Sequence, residues 1–112
     1  MSVSVPMEVD VATVKKWLIE RKDWTLIDCR EPHEAEIASI PGATLIPMSQ
    51  LSQATDQLEG LKGRHIVVHC HHGGRSLRVT QWLRGIGFPD AQNMAGGIDA
   101  WSTEVDSSVP RY

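Results

Sequence analysis

Apolar residues along the chain follow two different spacings. In some segments they recur three or four positions apart, as in amphipathic helices, and between these segments lie short continuous apolar runs, as in buried strands. The predicted helices span residues 11–20, 31–37, 48–58, 76–86 and 98–104. The predicted strands span residues 24–27, 43–46, 65–69 and 91–93. Asp10 is a typical helix N-cap and Gly87 a typical helix stop, which supports the bounds of the first and fourth helices.

The order of these elements predicts the fold class. Strands separated by helices imply right-handed crossovers and an α/β fold, in which a mostly parallel sheet is covered by helices on both faces. A chain of 112 residues is near the commonest size of one compact domain. We therefore predict a single domain over residues 1–112, with residues 106–112 as an irregular C-terminal tail. In such sheets the functional crevice lies beyond the carboxyl ends of the strands.

Charge and cysteine content narrow the class of protein. The formal net charge is -3 and the basic residues are scattered, so the basic patch of a nucleic-acid binder is missing. The opening MSVSVPMEVD has neither a basic start nor an apolar run, and no segment reaches membrane-spanning length. Two cysteines are too few for a disulfide scaffold, so both are expected to be reduced thiols. We expect a soluble cytoplasmic protein that binds neither nucleic acid nor a membrane.

The stretch HIVVHCHHGGRS contains the candidate chemistry. Cys70 follows the predicted strand 65–69, and the loop 71–75 leads into a helix, so successive backbone N–H groups lie at a helix N-terminus, where an anion is favoured. The helix dipole and Arg75 stabilise a thiolate, which should make this thiol more acidic than its ordinary pKa of about 8.5. Cys70 is therefore a candidate nucleophile, and the adjacent glycines of the loop allow the backbone to turn its amides inward.

Two other interpretations of this cysteine stay open at this point. A cysteine after a strand is most often an inert core thiol. A zinc site is the second alternative, because four histidines flank Cys70. On a strand, however, His65, His69 and Cys70 do not all face one way, and no second Cys or His cluster completes a tetrahedral set, so we expect no metal and no cofactor. The histidines are expected to be loop and surface residues that adjust the local charge; they are His65, His69, His71 and His72.

Four motifs in order make the sequence similar to the rhodanese domains, a family of sulfurtransferases, over nearly the whole chain. They are Cys-x-x-Gly-x-Arg-Ser at residues 70–76, Asp-x-Arg at 28–30, Ile-Pro-Gly-Ala at 40–43, and Ala-Gly-Gly at 95–97 with Trp101. The resemblance implies a three-layer α/β domain around a central parallel five-stranded sheet, with Cys70 as the catalytic residue that carries persulfide sulfur. It also implies a loop that binds the substrate or the persulfide, made of His71, His72, Gly73, Gly74, Arg75 and Ser76.

The sequence departs from the family pattern at three positions. His71 stands where many rhodaneses have Arg, which makes the positive charge of the loop depend on pH and puts a preference for thiosulfate in question. Ser39 replaces the usual His before Ile-Pro-Gly-Ala, and Cys29 lies within Asp-x-Arg. We interpret Cys29 as a core residue, with a sulfur-relay role as the less favoured alternative. Asp28 and Arg30 are interpreted as structural rather than catalytic.

Three functions are weighed. In the first, the Cys70 thiolate attacks the sulfane sulfur of a donor and passes it to an acceptor thiol, cyanide or protein. The second is a phosphatase with His-Cys-x-x-x-x-x-Arg, of which His69 and Cys70 supply half. Four residues rather than five separate Cys70 from Arg75, and a loop this short favours sulfur over a phosphoryl group. The third is a non-enzymatic module that senses sulfide or oxidants or binds a partner.

The expected partner of the site is a small sulfur-containing anion as donor. The tail Ser108-Val109-Pro110-Arg111-Tyr112 resembles the end of rhodanese domains fused to the adenylating enzymes of sulfur carrier proteins. That resemblance suggests a sulfur carrier protein, or its adenylating enzyme, as a partner. A terminal segment that packs Tyr112 against the domain explains the same residues equally well.

Overall fold

The computed structural model describes residues 5–112, and its centre is a sheet of five parallel strands in the order β1-β5-β4-β2-β3. The strands are β1 Glu8–Val9, β2 Trp24–Asp28, β3 Thr44–Leu45, β4 His65–His69 and β5 Gln92–Met94. The helices are α1 Val11–Glu20, α2 Pro32–Ile37, α3 Thr55–Glu59, α4 Gly74–Gly85 and α5 Gly97–Glu104, with a 3-10 helix at Met48–Gln53. The predicted fold class is confirmed. Residues 1–4 of the opening segment lie outside the described residues.

Three elements differ from the prediction. β1 carries too few residues for a hydrophobic pattern, so the fifth strand was implied by the family resemblance and not by the spacing of apolar residues. The predicted helix 48–58 is two helices, because Ala54 leaves helical geometry and its N–H donates back to Leu51 O at 3.1 Å. α4 begins at Gly74, two residues before the predicted start, so the loop after β4 is shorter than the sequence suggested.

The strands alternate between two apolar layers. In β4, Ile66 and Val68 face one layer, while Val67 faces the other. The first layer is closed by α3 and α4, through Leu58 and Leu83 among others. The second layer is closed by α1 and α5, which contribute Val11, Val14, Ile98 and Trp101. Helices on both faces leave the ends of the strands as the accessible edge of the sheet.

At the carboxyl edge, β2 and β4 lie next to each other, with Asp28 paired to His69. The pairing continues one residue further, because Cys29 N–H donates to His69 O at 3.1 Å. The two cysteines of the chain therefore follow neighbouring strands side by side. Within residues 5–112, none of the helices has the length and apolar character needed to cross a bilayer.

Candidate active site

The Cys70 sulfur lies inside a tight turn between β4 and α4. Gly73 N–H donates to Cys70 Sγ at 3.1 Å, Ser76 N–H lies 3.4 Å from it, and the Ser76 hydroxyl lies 3.3 Å from it. Gly73 has a φ of 112°, in the left-handed region that side chains disfavour, and this conformation turns its amide toward the sulfur. The sequence Gly73-Gly74 thus allows a ring of donors around one sulfur atom.

These donors make Cys70 acidic despite its burial. The side chain is 1% exposed, and burial alone would raise the pKa of the thiol. Hydrogen bonds from the Ser76 hydroxyl and from the backbone N–H groups of Ser76, Gly73 and Arg75 act in the opposite direction and bring the pKa below its ordinary value. The pocket therefore favours a sulfur anion.

The N-terminus of α5 holds the outer side of the same loop. Ile98 N–H donates to Cys70 O at 2.9 Å and Asp99 N–H donates to His71 O at 3.1 Å. Because these carbonyls are bound outward, the amides that follow can point inward. Gly97 makes this approach possible, since a Cβ at that position would lie 2.6 Å from Cys70 O and would also collide with His71 O. The Gly-Gly of the last motif thus serves the cysteine loop.

The Arg75 side chain points away from the sulfur and pairs with α2. Its two terminal nitrogens donate to the two carboxylate oxygens of Glu34 at 2.6 and 2.8 Å. This bidentate pair holds the pKa of Glu34 well below its usual range and raises that of Arg75. The Arg75 guanidinium is an anchor between the loop and α2, and its charge also lies close enough to act on Cys70.

Asp28 and Arg30 form a buried ion pair beneath the loop that follows β2. Arg30 Nη2 donates to Asp28 Oδ2 at 2.6 Å and to Ala38 O at 2.7 Å, and Arg30 Nη1 donates to Tyr112 Oη at 2.9 Å. Tyr112 Oη in turn donates to Glu34 Oε2 at 2.7 Å. The tail thereby joins the Asp28–Arg30 pair to the carboxylate that anchors Arg75. All these contacts help to position the loop after Cys70, and none of them reaches Cys70 Sγ.

The four histidines occupy different environments, and the expectation that all are loop and surface residues is wrong for His69, which is buried, and for His65, which is half-buried within β4. His69 is 0% exposed beside Asp28, and burial lowers its pKa to about 4, so it is neutral. His65 lies at the opposite end of β4, where it contacts Trp17 and Trp24. Only the other two histidines border the cysteine loop.

His71 and His72 form a stack with the tail. The His71 ring lies 3.9 Å from the His72 ring on one side and 3.9 Å from the Tyr112 ring on the other. Burial, followed by the neighbouring His72, lowers the pKa of His71 below its ordinary value of about 6.5. His71 is therefore neutral at pH 7, and the pH-dependent charge predicted for it lies in a more acidic range.

The structure contains one group of possible metal ligands that differs from the set of histidines around Cys70 considered for zinc on the sequence. Ligand atoms of His71, His72 and Asp99 lie within 4.8 Å of one another. The two rings are stacked at 28°, so their lone pairs, which lie in the ring planes, do not converge on one ion. Asp99 is also bound by Arg111 at 2.9 Å. The geometry of this group fits an aromatic stack better than a metal centre.

Cys29 lies in the apolar layer beneath the cysteine loop. It is 0% exposed, and burial together with the nearby Cys70 raises its pKa to about 12. A thiol with a pKa this high is not ionised near neutral pH, which agrees with a core residue and not with a sulfur relay. Both cysteines are free thiols.

Several residues of the site were not selected from the sequence. Glu34 and Tyr112 shape the loop through Arg75, and Asn93 contacts Ser76. Glu34 carried one usable signal, since an acidic residue three positions after Glu31 matches a capping box. Asn93 carried another, as a polar residue in a strand that should be buried. Neither signal names the partner across the fold.

Comparison with known proteins places these features in a family. The family model described as "Rhodanese-like domain" matches residues 10–104. "Rhodanese-like/PpiC domain-containing protein 12, chloroplastic" of Arabidopsis thaliana is 43% identical over 91 residues, which are 78% of this chain and 30% of that protein. "Adenylyltransferase and sulfurtransferase MOCS3-2" of Zea mays is 36% identical over 103 residues, which are 88% of this chain and 21% of that protein. The chain thus spans less than a third of these curated relatives.

Solved structures agree with the sequence comparisons. The structure described as "Human Single Domain Sulfurtranferase TSTD1" superposes with a TM-score of 0.76 at 29% identity and covers 88% of this chain and 97% of that one. The "Rhodanese-like Domain Protein" of Staphylococcus aureus has a TM-score of 0.77 at 30% identity and covers 96% of this chain and 99% of that one.

Proposed function

The chain belongs to the rhodanese-like domain family, and from this membership and the loop around Cys70 we propose that it is a sulfurtransferase that works through a Cys70 persulfide. Family membership supports sulfur transfer as the type of reaction, without specifying the donor or the acceptor. The single observation that supports the mechanism is the position of Cys70 Sγ, which is buried and surrounded by the N–H groups of Gly73 and Ser76. Such a ring of donors suits an anionic sulfur.

The proposed reaction has two balanced steps. In the first, the Cys70 thiolate attacks the outer, sulfane sulfur of a donor; with thiosulfate, the S–S bond of the donor breaks, sulfite leaves with the bonding electron pair, and a new S–S bond forms on Cys70. In the second, an acceptor thiolate or cyanide attacks the terminal sulfur of the persulfide and Cys70 leaves as the thiolate. No net oxidant or reductant is needed, and the loop N–H groups hold a sulfur anion throughout.

The size of the loop favours sulfur over phosphate. Four residues lie between Cys70 and Arg75, and two of the donors are already 3.1 and 3.4 Å from Sγ. Because Arg75 is bound on both terminal nitrogens by Glu34, its fork is not free to clamp a phosphoryl group. A phosphatase needs such a clamp as well as a wider ring.

A comparison of turnover with different substrates tests this function. Turnover would be measured with thiosulfate, glutathione persulfide and an aryl phosphate, for the unaltered chain and for Cys70→Ser. We expect turnover with at least one sulfane donor, no hydrolysis of the phosphate ester, and no turnover by Cys70→Ser. Phosphate hydrolysis without sulfur transfer would contradict the proposal, and so would sulfur transfer that persists in Cys70→Ser.

A protein acceptor is the second part of the proposal. Several relatives are named as joint adenylyltransferases and sulfurtransferases, and the match to one of them covers 88% of this chain. With the tail motif at residues 108–112, these names support delivery of sulfur to a carrier protein. Transfer of labelled sulfur from Cys70 to the C-terminus of an adenylated carrier, against the same carrier without adenylation, would test this step.

We also propose that the domain works in a reducing compartment such as the cytoplasm. Cys29 and Cys70 are both free, and the proposed chemistry needs Cys70 as a thiolate. Cell fractionation with an antibody to the intact protein would test this localisation.

A further inference from the structure

A buried hydrogen-bond chain connects the reacting sulfur to the far edge of the sheet. Ser76 Oγ contacts both Cys70 Sγ at 3.3 Å and Asn93 Oδ1 at 2.5 Å. Asn93 Nδ2 lies 2.9 Å from Glu8 Oε2 and 3.1 Å from Gly73 O. Ser76 and Asn93 are 0% and 1% exposed, so water does not replace these partners.

The outer contacts fix which way the Asn93 amide faces. A carboxylate and a backbone carbonyl can only accept hydrogen bonds, so the amide nitrogen must be directed to Glu8 and Gly73. Asn93 Oδ1 is then directed to Ser76 and can only accept. Two oxygens in hydrogen-bond contact need a proton between them, and the Ser76 hydroxyl is its only source.

The Ser76 hydroxyl has one proton for two neighbours. While it donates to Asn93, the contact with Cys70 Sγ is favourable only if the sulfur carries a proton and donates to Ser76 Oγ. When Cys70 is an anion, the hydroxyl must rotate and donate to the sulfur, and Asn93 Oδ1 loses its partner. The two acceptors therefore compete for one hydrogen bond.

We propose that Asn93 is a positioning residue whose Oδ1 accepts the hydrogen bond of the Ser76 hydroxyl while Cys70 is neutral and gives it up when Cys70 becomes an anion, so that the hydroxyl then donates to the sulfur. Asn93 touches neither donor nor acceptor molecules and acts through Ser76. This role depends on the proposed function only in taking Cys70 as the reacting sulfur. It predicts that Asn93 restrains formation of the anion, a direction opposite to that of every donor in the loop.

Charged and titratable groups face the loop from each element packed against it, and all of them except Glu8, which loses its bond to Asn93 Nδ2, keep their contacts when Asn93 is changed. They are Glu8 of β1, Asp28 and Cys29 at the end of β2, Glu34 of α2, His69 of β4, His71 and His72 of the loop, Arg75 of α4 and Asp99 of α5. A comparison of Asn93 variants with and without the Ser76 hydroxyl, at fixed salt, therefore separates the hydroxyl hydrogen bond from the change at Glu8.

The test is the pH dependence of iodoacetamide alkylation at Cys70, followed by mass spectrometry of its peptide and without any sulfur donor. Asn93→Leu is expected to lower the alkylation midpoint by about half a pH unit or more, because the freed hydroxyl donates to the anion alone. Ser76→Ala is expected to raise the midpoint by a comparable amount. In the double variant the midpoint should equal that of Ser76→Ala if Asn93 acts through the hydroxyl; a difference between the two would show that Asn93 acts through its contact with Gly73 O and would contradict the proposal.

Gln92→Leu is the matched control on the same strand. Gln92 is 5% exposed and binds His65 and Pro6 O on the other side of the molecule, so its loss perturbs β5 without touching Ser76. We expect an unchanged midpoint. A folded Asn93→Leu protein with an unchanged or raised midpoint would overturn the proposal.

If Asn93→Leu does not fold, Asn93→Ala takes its place under the same criteria, and an unchanged or lowered midpoint in Ser76→Ala would also overturn the proposal. Predicted midpoints combined with no sulfur loading by any donor would count against the sulfurtransferase activity and would leave the role of Asn93 standing.

Discussion

Cys29 and Cys70 stand side by side at the ends of neighbouring strands, yet their thiols have opposite properties. Both are buried, at 0% and 1% exposure. Burial raises the pKa of Cys29 to about 12, whereas the pKa of Cys70 lies below its ordinary value because loop hydrogen bonds outweigh burial. Position at the carboxyl end of a strand is therefore not enough to make a nucleophile.

The backbone that follows each cysteine explains the difference. After Cys70, the chain makes a turn with Gly73 at a positive φ and directs two N–H groups to the sulfur. After Cys29, the chain enters α2 through Pro32, and the thiol remains in the apolar layer. The acidity of Cys70 is therefore a property of the turn and its supports, and the predictions below test whether reactivity follows from them.

Replacing the two cysteines should give the largest contrast. Cys70→Ala is expected to lower sulfur loading by at least about a thousandfold, because no other ionised nucleophile lies in the loop. Cys29→Ala should load at nearly the unaltered rate and lose only some thermal stability, because it removes a buried group from the core. Single-turnover loading and thermal unfolding measure the two effects. Comparable loading losses in both variants would abolish the contrast.

Gly97→Ala should be next in effect. The added Cβ would displace the carbonyls of Cys70 and His71, and a shift of this kind is expected to lower the loading rate by about tenfold to a hundredfold. Gly63→Ala is the control, because Gly63 also has a positive φ, at 83°, but has no atom within 4 Å of the added Cβ. Both variants should lose stability through backbone strain. Only Gly97→Ala should lose activity; equal losses would remove the role assigned to α5.

Glu34→Gln tests the link between α2 and the loop after Cys70. The substitution removes the charge that binds both terminal nitrogens of Arg75, so the loop should be less ordered and loading several-fold slower. Glu36→Gln, on an exposed position of the same helix, is the control and should leave loading unchanged. Equal rates for the two variants would show that the pair does not support the loop.

The same pair predicts a pH dependence. The folded-state pKa of Glu34 is lowered, so the stability it contributes is present above the ordinary value of about 4.3 and is lost as pH falls through the lower folded value. Between pH 8 and pH 5 the difference in unfolding free energy between the unaltered chain and Glu34→Gln should stay constant. A difference that falls within this range would place the pKa of Glu34 much higher than the geometry implies.

His71→Arg should give the smallest effect. Because the pKa of His71 is below its ordinary value, the unaltered loop lacks this charge at pH 7 and above. Arg should speed loading from the thiosulfate dianion a few-fold at pH 8 and low salt. The ratio of the two rates should shrink toward one as pH falls through the lowered pKa of His71, below the ordinary value of about 6.5, because His71 then gains its own proton. A ratio that does not change with pH would contradict this account.

The sequence allowed most of the fold to be predicted, and its motifs named Cys70 as the candidate nucleophile. Long periodic segments such as Val11–Glu20 matched within a residue, because amphipathic spacing reports directly on burial. β1 was not predicted from the pattern, because Glu8–Val9 is too short to show a period. Residues 48–58 were predicted as one helix because Leu51 and Leu58 have helical spacing, and spacing does not reveal a break between them.

The supports of the site were harder to predict, because they join residues far apart in the chain. Glu34 lies 41 residues before Arg75, and Asn93 lies 17 residues after Ser76. Local spacing carries no information on such pairs. The prediction that His69 is a surface residue was wrong for a related reason. A polar residue at the end of a strand is expected to be exposed, and the sequence does not show that Asp28 of the neighbouring strand lies beside it.

The location of transferred sulfur tests the central claim most directly. The unaltered chain would be incubated with excess thiosulfate or glutathione persulfide, its free thiols blocked under native conditions, and its peptides mapped by mass spectrometry. We predict one added sulfur atom on the Cys70 peptide and none on the Cys29 peptide. Added sulfur on Cys29, or none on Cys70 with either donor, would contradict the claim that the turn after β4 makes the nucleophile.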